Sequence, residues 1–203
     1  MSEFTSKELY MMNGGNKLYI YKDGFGDIYK ATAAEEAAWS EEVVSNALKR
    51  VDKETNAIAL RFAVSDLIFH GYEDIDQLLF DKMQMAAPVR KIVFASLLWT
   101  IKGYEKSFAI IYQLFLCYRD KYIDEIFVAL QDFKDNMSAR NFVIDCLTGE
   151  DPVAYNKACV TVSMWSYTGM PELRAAGLPD ALKQKDSPGF SMAIAQLKQL
   201  LFL

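Results

Sequence analysis

From Thr32 onward, apolar residues recur at three- and four-residue spacings, the period of a helix with one buried face. Thr32 and Glu35 precede the first such stretch as a capping box, in which the hydroxyl takes an orphan amide and the carboxylate reaches back to the cap. The spacing predicts a helix from there to about Arg50, with Val44, Ala47 and Leu48 inward. A second, over 55–70, places Ala57, Leu60, Val64, Leu67 and Ile68 on one stripe and stops at Gly71. Asp74 caps a third, with Ile75, Leu78, Leu79 and Met83 facing in. Pro88 suits the first turn of a fourth, which carries Val89, Ile92, Val93, Ser96 and Trp99 toward Gly103. A fifth, over about 105–118, is apolar nearly all round, which predicts a central, well-covered helix. A sixth covers about 121–135. Ser138 opens a seventh ended by Gly149, and Asp151-Pro152 opens an eighth ended by Gly169. Pro171, Gly177, Pro179, Pro188 and Gly189 break the tail into short pieces before a last amphipathic helix over 190–203.

The first 31 residues read differently. Leu18-Tyr19-Ile20-Tyr21 and Ile28-Tyr29 flank Asp23-Gly24-Phe25-Gly26, and β-prone aromatic runs around a turn signal predict a short hairpin. No stretch of Gly, Ser or Pro is long enough to act as a linker. The expected fold class is therefore all-α: an irregular α-α superhelix or a helical bundle of about eight to ten helices, with a short N-terminal β-hairpin. Residues 1–31 form a segment packed on a single helical domain, 32–203.

Three helix starts resemble one another: Pro88-Val89-Arg90, Ser138-Ala139-Arg140 and Asp151-Pro152-Val153, each leading into an Ala/Leu/Val/Cys stripe. The pattern resembles the second helix of HEAT-type or armadillo-type repeats over roughly residues 55–168. It keeps no period, and Ala154 stands where an arginine would follow Val153. The resemblance implies an irregular α-α stack, with a compact bundle as the alternative. It brings no catalytic residues, and it implies a surface that binds other macromolecules.

Charge narrows the partners. The 203 residues carry 22 basic and 27 acidic side chains, net −5, which weighs against phosphate-neutralising nucleic-acid binding. Through residue 80 there are 14 acidic and 8 basic side chains, so the excess negative charge lies in the first two-fifths. Glu35, Glu36, Glu41, Glu42, Glu73, Asp74 and Asp76 are thus the candidate binding acids, suited to steering a basic protein partner. The start of the chain lacks a secretory pattern, and the apolar runs at 92–99 and 108–118 fall short of the roughly 20 residues that span a bilayer. Three unpaired-looking cysteines fit a reducing compartment. The expectation is a soluble cytoplasmic protein, with a homo-oligomer left open.

Candidate chemistry is sparse. A single histidine excludes sites that need two. Asp66 and His70 share a helix face and form a polar pair, read chiefly as a helix-end histidine beside a carboxylate that supports its charge. Cys117, Cys146 and Cys159 sit among apolar helical residues and read as buried, inert thiols. Gly14-Gly15 and Gly24-Phe25-Gly26 lack the phosphate-cradling patterns and read as turn glycines. No catalytic residue, metal site or cofactor is assigned. The leading expectation is a non-catalytic protein-interaction module, in the manner of an inhibitor or immunity protein. A small-ligand binder or enzyme with its pocket between helices is the alternative.

Overall fold

The structure is a computed structural model that describes residues 4–202, and among these there is no strand. The helices are α1 (Ser6–Met12), α2 (Lys17–Lys22), α3 (Ala33–Lys53), α4 (Ala57–Phe69), α5 (Ile75–Met85), α6 (Pro88–Lys102), α7 (Lys106–Leu130), α8 (Met137–Thr148), α9 (Pro152–Thr168), α10 (Pro171–Ala175), α11 (Leu178–Ala181) and α12 (Phe190–Phe202). A 3-10 turn, Gln131–Phe133, follows α7. The chain divides into two compact units, Met1–Lys82 and Met83–Leu203, with the division inside the last turn of α5.

In the first unit the expected hairpin is absent. Residues 18–21 belong to α2, which Asn16 caps through its side chain, and Asp23 to Phe25 close it in a turn with Gly24 at φ +82°. A hairpin here has no neighbouring sheet to complete it. The helix instead turns only Ile20 inward, against Leu9, Tyr10, Tyr29 and Val43, and leaves Leu18, Tyr19 and Tyr21 exposed. Thr5 and Thr32 form capping boxes with Glu8 and Glu35, so the box read from sequence at residue 32 starts α3 as expected. On α3 the buried positions are Val43, Ala47 and Val51, one position away from the expected Val44 and Leu48, which are half-buried. On α4 Leu60, Ala63, Val64 and Leu67 face the core, while Ile68 of the expected stripe is exposed. α3 packs on α4, and α1 packs on both α2 and α3.

In the second unit α6 begins at Pro88 without a side-chain cap and stops at Gly103, which is left-handed at φ +61°. The two helices expected over 105–118 and 121–135 follow one another within α7 as two helical segments that meet at a kink, where the backbone leaves helical geometry at Tyr118 and Tyr122. Its Ser107, Phe108, Ile111, Leu114 and Phe115 face in, but Tyr112, Leu116 and Tyr118 are exposed, so the apolar girdle is only half covered. Cys117 is exposed for the same reason, unlike buried Cys146 and Cys159. α8 starts at Met137, one residue before Ser138, because Asn136 supplies the cap to the Ala139 amide at 2.9 Å. α9 begins at the expected Asp151-Pro152, with Asp151 accepting from the Val153 and Ala154 amides. Trp165 of α9 is fully buried and donates to the Leu130 carbonyl at 3.2 Å, tying α9 to the end of α7. Consecutive helices pack on each other as α6 with α7, α8 with α9, and α9 with α10, and α12 closes the unit against α8 and α11. Leu201 of the terminal apolar run is buried and Phe202 partly exposed, while Leu203 lies outside the described residues.

Candidate functional site

The only histidine organises the first unit. His70 is the C-cap of α4, and its ring lies between α3 and the α1–α2 turn. Nε2 is 2.8 Å from the Gly14 carbonyl, which only accepts, so Nε2 carries a proton. In the neutral imidazole Nδ1 then accepts from the Ser40 hydroxyl at 2.7 Å. The Tyr10 ring tilts against Trp39 at 5.6 Å and against the His70 ring at 6.3 Å. Burial pushes the Tyr10 phenol above its ordinary value, so it remains neutral. Gly14 and Gly15 stand at φ +54° and +81°, and a Cβ on Gly15 would lie 2.6 Å from His70 Cε1. The turn therefore needs glycine twice over, for its handedness and for the ring that closes on it.

Asp66, four residues before His70, takes a different partner. Its Oδ2 is 3.4 Å from Arg50 Nη1, and Arg50 Nη2 donates to the Ala59 carbonyl at 3.0 Å. Partial burial raises the Asp66 carboxyl above its usual range, against the opposing pull of Arg50 and His70. The expected Asp66–His70 pair thus resolves into two neighbouring links, Asp66–Arg50 and His70–Ser40, that fasten α4 to α3.

A serine 2.7 Å from an imidazole is nucleophile-and-base distance. Acyl transfer also needs amides aimed at a developing oxyanion. The Gly14 and Gly15 amides in the turn beside the ring are already engaged: Gly14 N donates to Met11 O, and Gly15 N to Tyr10 O. Both ring nitrogens of His70 and the Ser40 hydroxyl close the turn as well. The arrangement builds a latch on the α1–α2 turn.

Beside this latch runs a groove of about 790 Å³ bounded by the α1–α2 turn, α3 and α4. Its lips are Met12, Tyr19, Phe62 and Phe69, which are 66%, 52%, 62% and 55% exposed. Ile58 continues the α4 row one turn earlier and is also exposed. The lining carries Asn13, Asn16 and Asn46. Asn13 uses its Nδ2 on the Leu9 carbonyl and Asn16 its Oδ1 on the Leu18 amide. Among the described residues neither side chain makes a further hydrogen bond, and exposed Asn46 makes none. Sequence reasoning missed this groove. Its signal is Ile58, Phe62 and Phe69, apolar positions on α4 off the Leu60-Val64-Leu67 stripe.

The seven candidate acids divide by role. Glu35 completes the α3 capping box. Glu36 accepts from the Tyr29 hydroxyl at 3.0 Å and pairs with Lys17 at 2.6 Å, and chiefly that lysine holds its carboxyl below the usual range. Glu42 pairs with Lys7 at 2.8 Å. Asp76 is half-buried in the first turn of α5. Glu41, Glu73 and Asp74 are exposed and make no ion pair among the described residues. Four of the seven thus have structural work, and the freely presented acids are fewer than composition suggested.

The second unit holds a smaller cavity, about 420 Å³, walled by Phe108, Tyr112, Phe115 and Phe142 and rimmed by Arg119, Asp145, Glu150 and Asp151. Among the described residues no three His, Cys, Asp or Glu side chains gather to hold a metal ion, and no helix is long and apolar enough to cross a membrane. Comparison with models of known protein families, with curated proteins and with solved structures gives no match.

Proposed function

We propose that this protein is a non-catalytic protein-binding module whose first unit receives an extended, basic segment of a partner protein. The observation that carries the reading is the pair Phe62 and Phe69, both more than half exposed on the lip of a groove whose lining includes three asparagines. Large apolar side chains grouped beside a concave surface are characteristic of interaction sites. An amide with a free donor or acceptor matches the N–H or C=O of an extended backbone, whereas a helical partner has those groups internally bonded. The unit carries 15 acidic and 9 basic side chains through residue 82, so its field favours a basic partner and hastens encounter with it.

Within this class we favour an inhibitor-like or immunity-like role, supported by the charge balance, on a HEAT-like stack of consecutively packed helix pairs. A cytoplasmic setting belongs to the same proposal and is supported by the three free thiols.

The test is selection from a displayed library of random eight-residue peptides against the full chain. The expected result is enrichment of sequences with Lys or Arg beside Leu, Phe or Met. Enrichment disappears for Phe62→Ser/Phe69→Ser and persists for Met192→Ser, an exposed apolar residue of the second unit. Selection of acidic peptides, or enrichment indifferent to the Phe62/Phe69 variant, overturns the proposal.

A further inference from the structure

The 420 Å³ cavity lies wholly within the second unit and has a chemistry of its own. Phe142 is its centre, with ring centroids of Phe115, Tyr112 and Phe108 at 4.9, 5.6 and 6.0 Å. Phe108, Phe115 and Phe142 are buried, while Tyr112 is 42% exposed and stands at the mouth. The volume falls within the range of small-ligand pockets, and apolar walls with a few polar groups are their usual lining.

The polar groups are lopsided. Three carboxylates, Asp145, Glu150 and Asp151, face one guanidinium, Arg119. Arg119 Nη1 is 2.9 Å from Asp151, and its guanidinium carbon lies 5.9 Å from the Phe115 ring centroid. Asp151 also accepts two amides as the α9 cap, so Arg119 and Asp151 satisfy each other and the helix. Asp145 and Glu150 are exposed and make no ion pair among the described residues. Cys146 adds no charge, because burial pushes its thiol up to about 12.

An aromatic ring is negative on its faces and attracts a cation set over it. Here that attraction is already displayed by the chain's own arginine over Phe115, and two further carboxylates remain without a counter-charge. An anion entering the same cavity meets two carboxylates that make no ion pair among the described residues and a guanidinium already paired with Asp151. We propose that this cavity binds a cationic group, an ammonium or guanidinium on a short apolar stem, seated between the aromatic wall and Asp145 and Glu150. The group is carried either by a small organic cation or by a Lys or Arg side chain of a peptide; the recognition chemistry is shared. The proposal is independent of the groove in the first unit.

The experiment is calorimetric titration of the full chain at low salt with agmatine, with a capped Gly-Arg-Gly peptide, and with butyrate, while Tyr112 ring protons are followed by NMR. Agmatine or the peptide binds and shifts the Tyr112 resonances, and butyrate does neither. Agmatine alone identifies a small organic cation, the peptide alone a side chain, and both together the shared group. Glu150→Gln and Asp145→Asn each weaken binding about 5-fold, and Tyr112→Ala weakens it by a similar factor. Arg119→Gln gives the decisive sign. It removes the competing guanidinium and tightens cation binding roughly 10-fold. Helical circular dichroism, unchanged in Glu150→Gln at its exposed position, shows that loss of binding is not loss of fold. Absence of cation binding in both the unaltered chain and Arg119→Gln overturns the proposal. So does butyrate binding that Arg119→Gln abolishes.

Discussion

Replacing Gly15 by alanine isolates the latch at His70. An alanine there incurs two costs. Its backbone must hold φ +81°, a left-handed geometry that costs an L-residue about 1–2 kcal/mol. Its Cβ would also lie 2.6 Å from His70 Cε1, 2.7 Å from Nε2 and 2.9 Å from the Tyr10 hydroxyl, so the ring must move. Moving it breaks the bonds to Gly14 and Ser40, each worth about 1 kcal/mol net. Gly15→Ala should therefore cost about 3–4 kcal/mol. Gly24 provides the control: its φ is +82°, but a Cβ there meets nothing within 4 Å, so Gly24→Ala incurs the backbone cost alone. Because the chain has two compact units, a single global melt blends their transitions. Hydrogen exchange of peptides covering residues 5–23 reads the local opening free energy directly, with peptides from α8 and α9 as internal reference. The expected result is protection lost by roughly 150- to 900-fold in Gly15→Ala and by about 10-fold in Gly24→Ala. Adding His70→Ala removes the obstructing ring, so the double variant costs less than the sum of the singles. Equal losses in Gly15→Ala and Gly24→Ala, or strict additivity with His70→Ala, would refute the latch.

Other outcomes follow from the same geometry. Iodoacetamide at pH 7.5 should modify Cys117 while native Cys146 and Cys159 stay unreacted, read by mass spectrometry, because the latter two are buried with thiols raised by that burial. Thr32→Ala removes the α3 capping box and should lower stability by about 1 kcal/mol, measured as earlier exchange of the first-turn amides of α3. The Glu36 carboxyl is held below its unfolded value, so its contribution is complete above pH 4.5 and disappears as pH falls through the lower folded value. Glu36→Gln should accordingly flatten the acid side of the stability profile of the first unit. Trp165→Ala opens a void under α9 and frees the Leu130 carbonyl, and should cost about 3–5 kcal/mol in denaturant titration of the second unit.

Signals carried by a few adjacent residues were legible in the sequence. The Thr32-x-x-Glu35 box, the Asp151-Pro152 start and the Gly103 stop each act through local backbone chemistry and stand where the residues place them. What escaped depends on neighbours distant in the chain. Tyr19, Ile20 and Tyr21 have β-prone side chains, yet no second strand is on offer, and Ile20 gains more by packing on Leu9 and Val43. The gap read between two helices near residue 120 is real: two helical segments meet there across non-helical backbone at Tyr118 and Tyr122, with only a kink between them. Asp66 and His70 stood out because ionisable side chains are rare on that apolar helix. Their partners Arg50, Ser40 and Gly14 lie 16, 30 and 56 positions away, and no periodicity links them. The groove lip was hidden because Phe62 and Phe69 look like core residues until the opposite stripe of α4 is seen to fill the core.

The two bends in α7 have a consequence for how that helix comes apart. A ladder of i to i−4 bonds unravels residue by residue from an end, each step easing the next. The kink near Tyr118 should act as a firebreak: fraying that starts at Lys106 is expected to stall there, while the stretch running to Leu130 keeps its own anchorage through the Trp165 indole.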